Sequence, residues 1–178
     1  MGIVQIILAA DCPEVAWKNG GGTTREIAAF PPGAGMDHFL WRLSMAKVER
    51  AGPFSAFTGI DRKLAVISGR LRLSGPGIDV MLDDAGAPCP FDGGAALSGD
   101  PLDGPVLDLN AMARRGSYSC VMRRLVAGDT AGCAGTGLLV ALEPQPLAGN
   151  ALQALDCVRF DAPLQVQGKA LAVDFIAA

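Results

Sequence analysis

The sequence predicts an all-β fold of many short strands with little helix. The 23 glycines and 12 prolines are spread evenly between short apolar runs, and these residues interrupt helices but separate strands well. Several runs also alternate with period two. In Leu40–Val48, Trp41 and Met45 share one face of a strand, whereas Arg42 and Ser44 share the other. Because half of the 178 residues are hydrophobic, the chain can bury a sizeable core as one compact unit, residues 1–178.

Each predicted strand is a short run rich in Val, Ile, Leu or Ala that ends near Gly, Pro, Asp or Asn. In chain order the runs are Ile3–Leu8, Thr23–Phe30, Leu40–Val48, Leu64–Ile67, Arg70–Ser74, Ile78–Leu82, Val106–Asn110, Ser119–Arg124, Leu138–Leu142, Asp156–Phe160, Leu164–Gln167 and Ala170–Phe175. The alanine-rich stretch Asn110–Arg115 is predicted as a short helical turn.

A weak internal similarity suggests two halves. The pair Phe91-Asp92 in the first half is matched by Phe160-Asp161 in the second, and a duplicated small β-barrel would accommodate so many short strands. We therefore predict approximate halves at residues 1–112 and 113–178.

Charge and hydropathy exclude several functions. The balance of 15 basic and 18 acidic residues gives a net charge of −3, whereas nucleic-acid binding requires a basic surface. The chain has no lysine-rich amphipathic stretch for a membrane surface, and its apolar runs fall short of the roughly 20 residues that span a bilayer. The apolar run Ile3–Ala10 lacks the basic flank of a signal peptide. We expect a cytoplasmic protein.

The thiols and the imidazole bear on metal binding and catalysis. Five cysteines are scattered without a CxxC pair, which favours reduced thiols packed as small hydrophobic groups. With His38 as its single histidine, the chain cannot build a histidine-rich metal site, and a catalytic cysteine would lack its usual base. We expect no metal and no cofactor. The cysteines are Cys12, Cys89, Cys120, Cys133 and Cys157.

The first candidate site segment surrounds three consecutive glycines. A run of glycines lets backbone N–H groups approach a ligand, but it is equally typical of a tight turn with a surface ion pair. Arg25 and Glu26 are adjacent on the following strand, so they point to opposite faces unless a bulge intervenes. The candidate ligand-binding residues here are Trp17, Lys18, Asn19, Gly21, Thr23, Arg25 and Glu26.

Two later segments add candidates. Arg42 lies in mid-strand and either faces solvent or enters a cavity. In the last segment, residues 104–116, Asp108 and Asn110 share one strand face, and Arg114 joins them if the strand continues. These residues form either a polar site or a structural Asp–Arg pair at the mouth of a barrel.

Three motifs in register resemble the HutD/Ves family: WKNGGGTTREI, FLWRLSMAKVERAGPFSAFTGIDRKL and GPVLDLNAMARRG. The resemblance spans residues 12–116, and the remaining third is similar in fold-level pattern. It implies a cupin-like double-stranded β-helix built from two fused cupin-like halves, a bicupin. It also implies an association with histidine utilisation or stress-induced expression, in a regulatory or ligand-binding role. No reaction is firmly established for the family.

The cupin signature itself is altered in this chain. Val66-Ile67-Ser68-Gly69 resembles the glycine-terminated strand of cupins, but Arg62 lies in the neighbourhood where a metal cupin has its histidines and glutamate. A guanidinium there changes the site from cation binding to anion binding. Intermediates of histidine breakdown such as urocanate and formylglutamate are carboxylates. We therefore expect a small anionic metabolite as the partner, clamped by Arg42, Arg25 or Arg62.

Two other functions remain open. A metal-independent isomerase or hydrolase could use Glu26 or Asp108 as a general base. Alternatively, the chain could be a protein-interaction module, and an apolar strand such as Ala170–Ile176 could form the edge of a homodimer.

Overall fold

The structure is a computed structural model that describes residues 2–178. Within that range the chain forms seventeen strands and one 3-10 turn, Ala9–Asp11. The strands are β1 (Ile3–Ile7), β2 (Glu14–Ala16), β3 (Gly22–Phe30), β4 (Trp41–Val48), β5 (Gly52–Pro53), β6 (Ile60–Gly75), β7 (Ile78–Asp83), β8 (Cys89–Asp92), β9 (Ser98–Arg114), β10 (Tyr118–Leu125), β11 (Thr130–Ala131), β12 (Thr136–Ala141), β13 (Gln145–Leu147), β14 (Asn150–Leu152), β15 (Cys157–Phe160), β16 (Leu164–Gln165) and β17 (Ala170–Ala177).

Two antiparallel sheets dominate the fold. The first sheet has eight strands in the order β2-β3-β4-β9-β6-β7, with β5 paired to β9 and β8 paired to β6. The second sheet has the order β1-β15-β12-β17-β10, so the N-terminal strand pairs with the C-terminal part of the chain. Two small sheets, β11–β16 and β13–β14, complete the fold. The all-β prediction is confirmed, whereas the division into halves stays a prediction.

The main core lies between the two sheets. Trp41, Leu43 and Leu109 of the first sheet pack in one buried cluster with Leu138 and Val173 of the second. The ring of Trp41 also stacks on that of Phe175, with centroids 4.5 Å apart. On β4 and β9, one row of side chains packs against the second sheet in this core. The alternate residues of both strands therefore face the opposite side of the first sheet.

The interior of the second sheet is filled with apolar side chains. Leu139, Val158 and Ala172 belong to a second buried cluster, and Phe160 packs over Gly137. A Cβ added at Gly137 would lie 2.6 Å from the Phe160 ring, so the glycine leaves room for the aromatic side chain. The large cavity described below opens in the first sheet, not in this one.

Two predictions of local structure require correction. The two predicted runs Leu64–Ile67 and Arg70–Ser74 form one strand, β6, because the chain passes through Gly69 at a positive φ of 88° with register shifts and no reversal. The predicted helical turn at Asn110–Arg115 is the end of strand β9, where pairing with β4 and β6 on both sides overrides the local pattern.

Ala170–Ile176 is not the free strand edge that was predicted, whereas a homodimer as such stays a prediction. Ala170–Ile176 lies in β17, which pairs with β10 on one side and β12 on the other. Its backbone N–H and C=O groups already form hydrogen bonds with β10 and β12, so this strand has no free edge.

The cysteines of this fold are free thiols, most of them in the core. All five cysteines are unpaired thiols, and Cys12, Cys120 and Cys157 are buried. Burial raises the pKa of Cys120 to about 11, so its thiol stays neutral in the core. No helix formed by residues 2–178 is long and apolar enough to cross a membrane.

Candidate functional site

A cavity of about 870 Å³ opens on the inner face of the first sheet. Strands β3, β4, β6 and β9 supply its polar floor, and the segments before β3 and after β4 supply its rim. Eight of the residues predicted from sequence line this cavity, namely Trp17, Lys18, Asn19, Glu26, Arg42, Arg62, Asp108 and Asn110.

Strand alternation and register bring the floor residues together. Ser44 lies opposite Asn110 across the β4–β9 ladder, and Arg62 lies opposite Met112 across β6–β9. Deeper along the same inward rows, Leu64 and Val106 are buried in an apolar cluster. Each inward row therefore changes from apolar to polar as it approaches the cavity, and the apolar part lies buried beneath the polar floor.

Arg42 is held on the cavity floor by an ion pair with Glu26. Its Nε donates a hydrogen bond of 2.8 Å to Oε2 of Glu26, and its Nη1 lies 3.4 Å from Oγ of Ser44. Only 10% of the Arg42 side chain is exposed, against 42% for Glu26. Arg42 is therefore a floor residue whose charge is partly balanced by a carboxylate nearer the mouth.

Arg62 is a buried cation with uncharged hydrogen-bond partners. Its Nη1 donates to the backbone carbonyl of Ser55 at 3.0 Å, and its Nε lies 3.4 Å from Oδ1 of Asn110. Burial lowers the pKa of Arg62 to about 10, while Asp108 acts in the opposite direction. The group thus remains protonated at neutral pH although it is desolvated.

Three phenyl rings surround this guanidinium. Its central carbon lies 4.9, 5.5 and 5.8 Å from the ring centroids of Phe91, Phe57 and Phe54. Such cation–π contacts partly replace lost hydration and hold the side chain in one place.

Asp108 is the most deeply buried charged residue of the floor, with 1% exposure. Its Oδ1 has no hydrogen-bond partner among residues 2–178. Burial raises the pKa of Asp108 to about 7, although Arg62 and the backbone of Ala46 oppose the shift. The carboxyl group therefore changes its charge within the physiological pH range.

The glycine-rich segment forms the hairpin turn between β2 and β3. Gly20 has a positive φ of 70°, and the N–H of Gly21 is bound by Oδ1 of Asn19 at 2.8 Å. The turn places Trp17 over the cavity, where its Nε1 donates to Thr24 at 2.7 Å. The glycines thus shape the turn and do not line the cavity.

Four predicted site residues lie outside the cavity. Thr23 and Arg25 are on the opposite face of β3 from Glu26, and Arg25 pairs with Glu14 at 3.0 Å. Gly21 is used within the turn. Arg114 donates to the backbone carbonyl of Phe39 at 3.0 Å. Arg114 therefore fixes the loop before β4, and no Asp108–Arg114 pair closes a barrel mouth.

The structure adds lining residues that were not selected from the sequence. Thr24 and Ser44 share strand faces with Glu26 and Arg42, so period-two alternation could have found them. Phe54, Phe57 and Met36 come from loops, where no periodicity marks a face.

The charges of the cavity favour anions. Three cationic side chains, Lys18, Arg42 and Arg62, face two carboxyl groups, Glu26 and Asp108. The balance is therefore positive locally although the whole chain carries −3. Among residues 2–178, no group of three or more His, Cys, Asp or Glu side chains is placed to hold a metal ion.

Solved structures share this fold. HutD from Pseudomonas fluorescens SBW25 matches with a TM-score of 0.88 at 27% identity, over 98% of each chain. A cupin 2 conserved barrel domain protein from Leptotrichia buccalis matches with a TM-score of 0.58 over 97% of each chain. Its 11% identity shows the fold alone. The cupin-like fold predicted from the sequence is confirmed.

Sequence relatives give the family. An uncharacterised 21.2 kDa protein in the hutC 3' region of Pseudomonas putida is 34% identical over 197 residues, covering 99% of each chain. Protein Ves of Citrobacter koseri is 34% identical over 113 residues, which are 58% of this chain and 54% of Ves. The HutD family model matches residues 9–175. Because the family model covers most of the chain and a relative matches along its whole length, this chain belongs to the HutD family.

Proposed function

We propose that this protein binds a small organic acid in the cavity of the first sheet, without a metal ion, and that occupancy regulates histidine utilisation. The observation that carries the proposal is the pair of buried guanidinium groups, Arg42 and Arg62, on one cavity floor. A protein tolerates such desolvated cations when an anion completes their environment.

The energetics suit a metabolite sensor. A hydrogen bond to a charged group contributes about 1.5–3 kcal/mol, and millimolar affinity requires only about 4 kcal/mol in total. Two guanidinium contacts and modest apolar burial against Trp17 and Phe54 therefore suffice. Urocanate and formylglutamate, both carboxylates, are the ligands that we propose to test first.

Calorimetric titration tests the clamp. We expect both acids to bind the wild-type protein and Arg42→Ala to bind them roughly tenfold more weakly, because one charge-assisted hydrogen bond is lost. Arg25→Ala is the matched control, since Arg25 lies on the neighbouring strand but outside the cavity. Equal affinities of wild type and Arg42→Ala would contradict the clamp, as would equally tight binding of imidazole, which lacks the carboxylate.

A second candidate function is metal-independent acid–base catalysis on the same acid. The observation in its favour is the Asp108 carboxyl group, whose pKa burial raises to about 7, where a general base works best. Proton NMR of the titration mixtures over a day would reveal turnover. Product formation that is lost in Asp108→Asn would favour the enzyme, whereas unchanged ligand at saturating protein would favour the binding protein.

A further inference from the structure

The floor of the cavity contains an acceptor as well as cations. Asp108 lines the cavity, is 99% buried, and has an Oδ1 atom without a hydrogen-bond partner among residues 2–178. A buried acceptor that stays unpaired costs free energy, so its presence beside a ligand cavity points to a ligand that supplies a donor.

The backbone N–H of Ala46 hydrogen-bonds to the Asp108 carboxyl group, but no neighbour among residues 2–178 supplies a donor to Oδ1. On the adjacent strands it lies opposite Ala46 of β4 and Val66 of β6, whose side chains are apolar. The other charged side chains that line the cavity with Asp108 are Arg62 of β6, Arg42 of β4, Glu26 of β3 and Lys18 before β3. The hydrogen bonds of the two arginines go to Asn110, Ser55, Glu26 and Ser44.

A plain carboxylate bound at the arginines would place a second anion close to Asp108 and leave Oδ1 unpaired. A carboxylate that also carries an N–H or O–H group satisfies both sites at once. The edge-to-face rings of Trp17 and Phe54, with centroids 6.4 Å apart, add flat apolar walls that suit a planar ligand.

We infer that Asp108 is the specificity-determining residue of this cavity, and that it selects carboxylates bearing a hydrogen-bond donor, which Oδ1 accepts. This inference rests on the proposed function. It assigns the two ends of one ligand: the carboxylate contacts the guanidinium groups of Arg42 and Arg62, and the donor contacts Asp108.

Matched heterocyclic acids test the assignment. Pyrrole-2-carboxylate and furan-2-carboxylate are both planar, but the first has a ring N–H where the second has an oxygen; the 3-carboxylates provide a second geometry. At about pH 8.5, above the pKa of Asp108, we expect the wild-type protein to bind at least one pyrrole acid about tenfold more tightly than its furan counterpart. In Asp108→Ala the ratio should fall to about one, and in Asp108→Asn, which keeps a neutral acceptor, to an intermediate value.

The controls separate this inference from the proposed function. Asp100→Ala, an exposed change on the same strand, should keep the wild-type ratio. Equal wild-type affinities for every pyrrole and furan pair would overturn the role of Asp108 while leaving the carboxylate clamp intact. A preference for the pyrrole acids over the furan acids that persists in folded Asp108→Ala and Asp108→Asn would also overturn the role of Asp108. If none of the four acids binds although urocanate or formylglutamate does, the inference alone is overturned. If urocanate and formylglutamate also fail to bind, the proposed function is overturned, and the inference with it.

Discussion

Replacing Arg62 with methionine is expected to weaken organic-acid binding by roughly 100-fold while changing the free energy of unfolding by less than about 1 kcal/mol. This is the largest effect on binding that the structure predicts. Arg62 is held by uncharged partners, Asn110 and the Ser55 carbonyl, so more of its charge is available to a ligand than that of Arg42, which pairs with Glu26.

The small effect on stability follows from two opposing contributions. Burial lowers the pKa of Arg62 from 12.5 to about 10, which corresponds to a cost of about 3 kcal/mol for the charged form in the fold. Removing the charge relieves that cost, but it also removes the contacts with Ser55, Asn110 and three phenyl rings. Methionine has a similar length and fills the aromatic pocket.

Calorimetry with the acids and denaturant unfolding provide the two measurements. Arg115→Met is the matched control, because Arg115 is half-exposed and pairs with Asp61 and Asp92 outside the cavity. It should leave affinity unchanged. An Arg62→Met protein that is folded and binds as tightly as wild type would show that the guanidinium does not contact the ligand.

The second large effect is a pH dependence of stability that depends on Asp108. Its pKa is about 7 in the folded protein against 3.8 in the unfolded reference, so between these values the folded state binds the extra proton. By linkage, the stability of the wild type relative to Asp108→Asn should fall as pH rises from about 4 to 7 and stay level above that. The shift of about three pKa units corresponds to a difference of about 4 kcal/mol.

Urea unfolding at a series of pH values checks this prediction. Comparing the wild type with Asp108→Asn cancels the titration of all other groups. Asp100→Asn, exposed on the same strand, should keep the wild-type pH dependence. Parallel curves for wild type and Asp108→Asn would mean that the pKa of Asp108 is not raised by burial.

Much of the fold was predictable because strand alternation is a local property. The opposite faces of Trp41 and Arg42, and the shared face of Asp108 and Asn110, follow from period two and are confirmed by the buried core and the cavity. Prediction failed where a local signal met a stronger tertiary one. Gly69 resembled a turn but lies within β6, where pairing with β9 continues past it.

The cavity itself was less predictable. Alternation shows which residues share a face, but not whether that face meets solvent, a partner sheet or a cavity. Arg25, Arg42 and Arg62 were equivalent candidates in sequence. The structure places Arg25 on the outer face with Glu14 and the other two on the cavity floor.

By itself, the sequence determined the all-β class, the polar and apolar faces of the main strands, and the resemblance to the family, since these depend on residue type and spacing alone. Only the tertiary structure decided which sheet keeps an open interior. Both sheets have apolar strands, but Phe160 fills the second against Gly137, whereas the first surrounds Arg62 and Asp108. The physical reason is that burial depends on neighbours that are distant in the chain. Burial in turn raises the pKa of Asp108 and lowers that of Arg62.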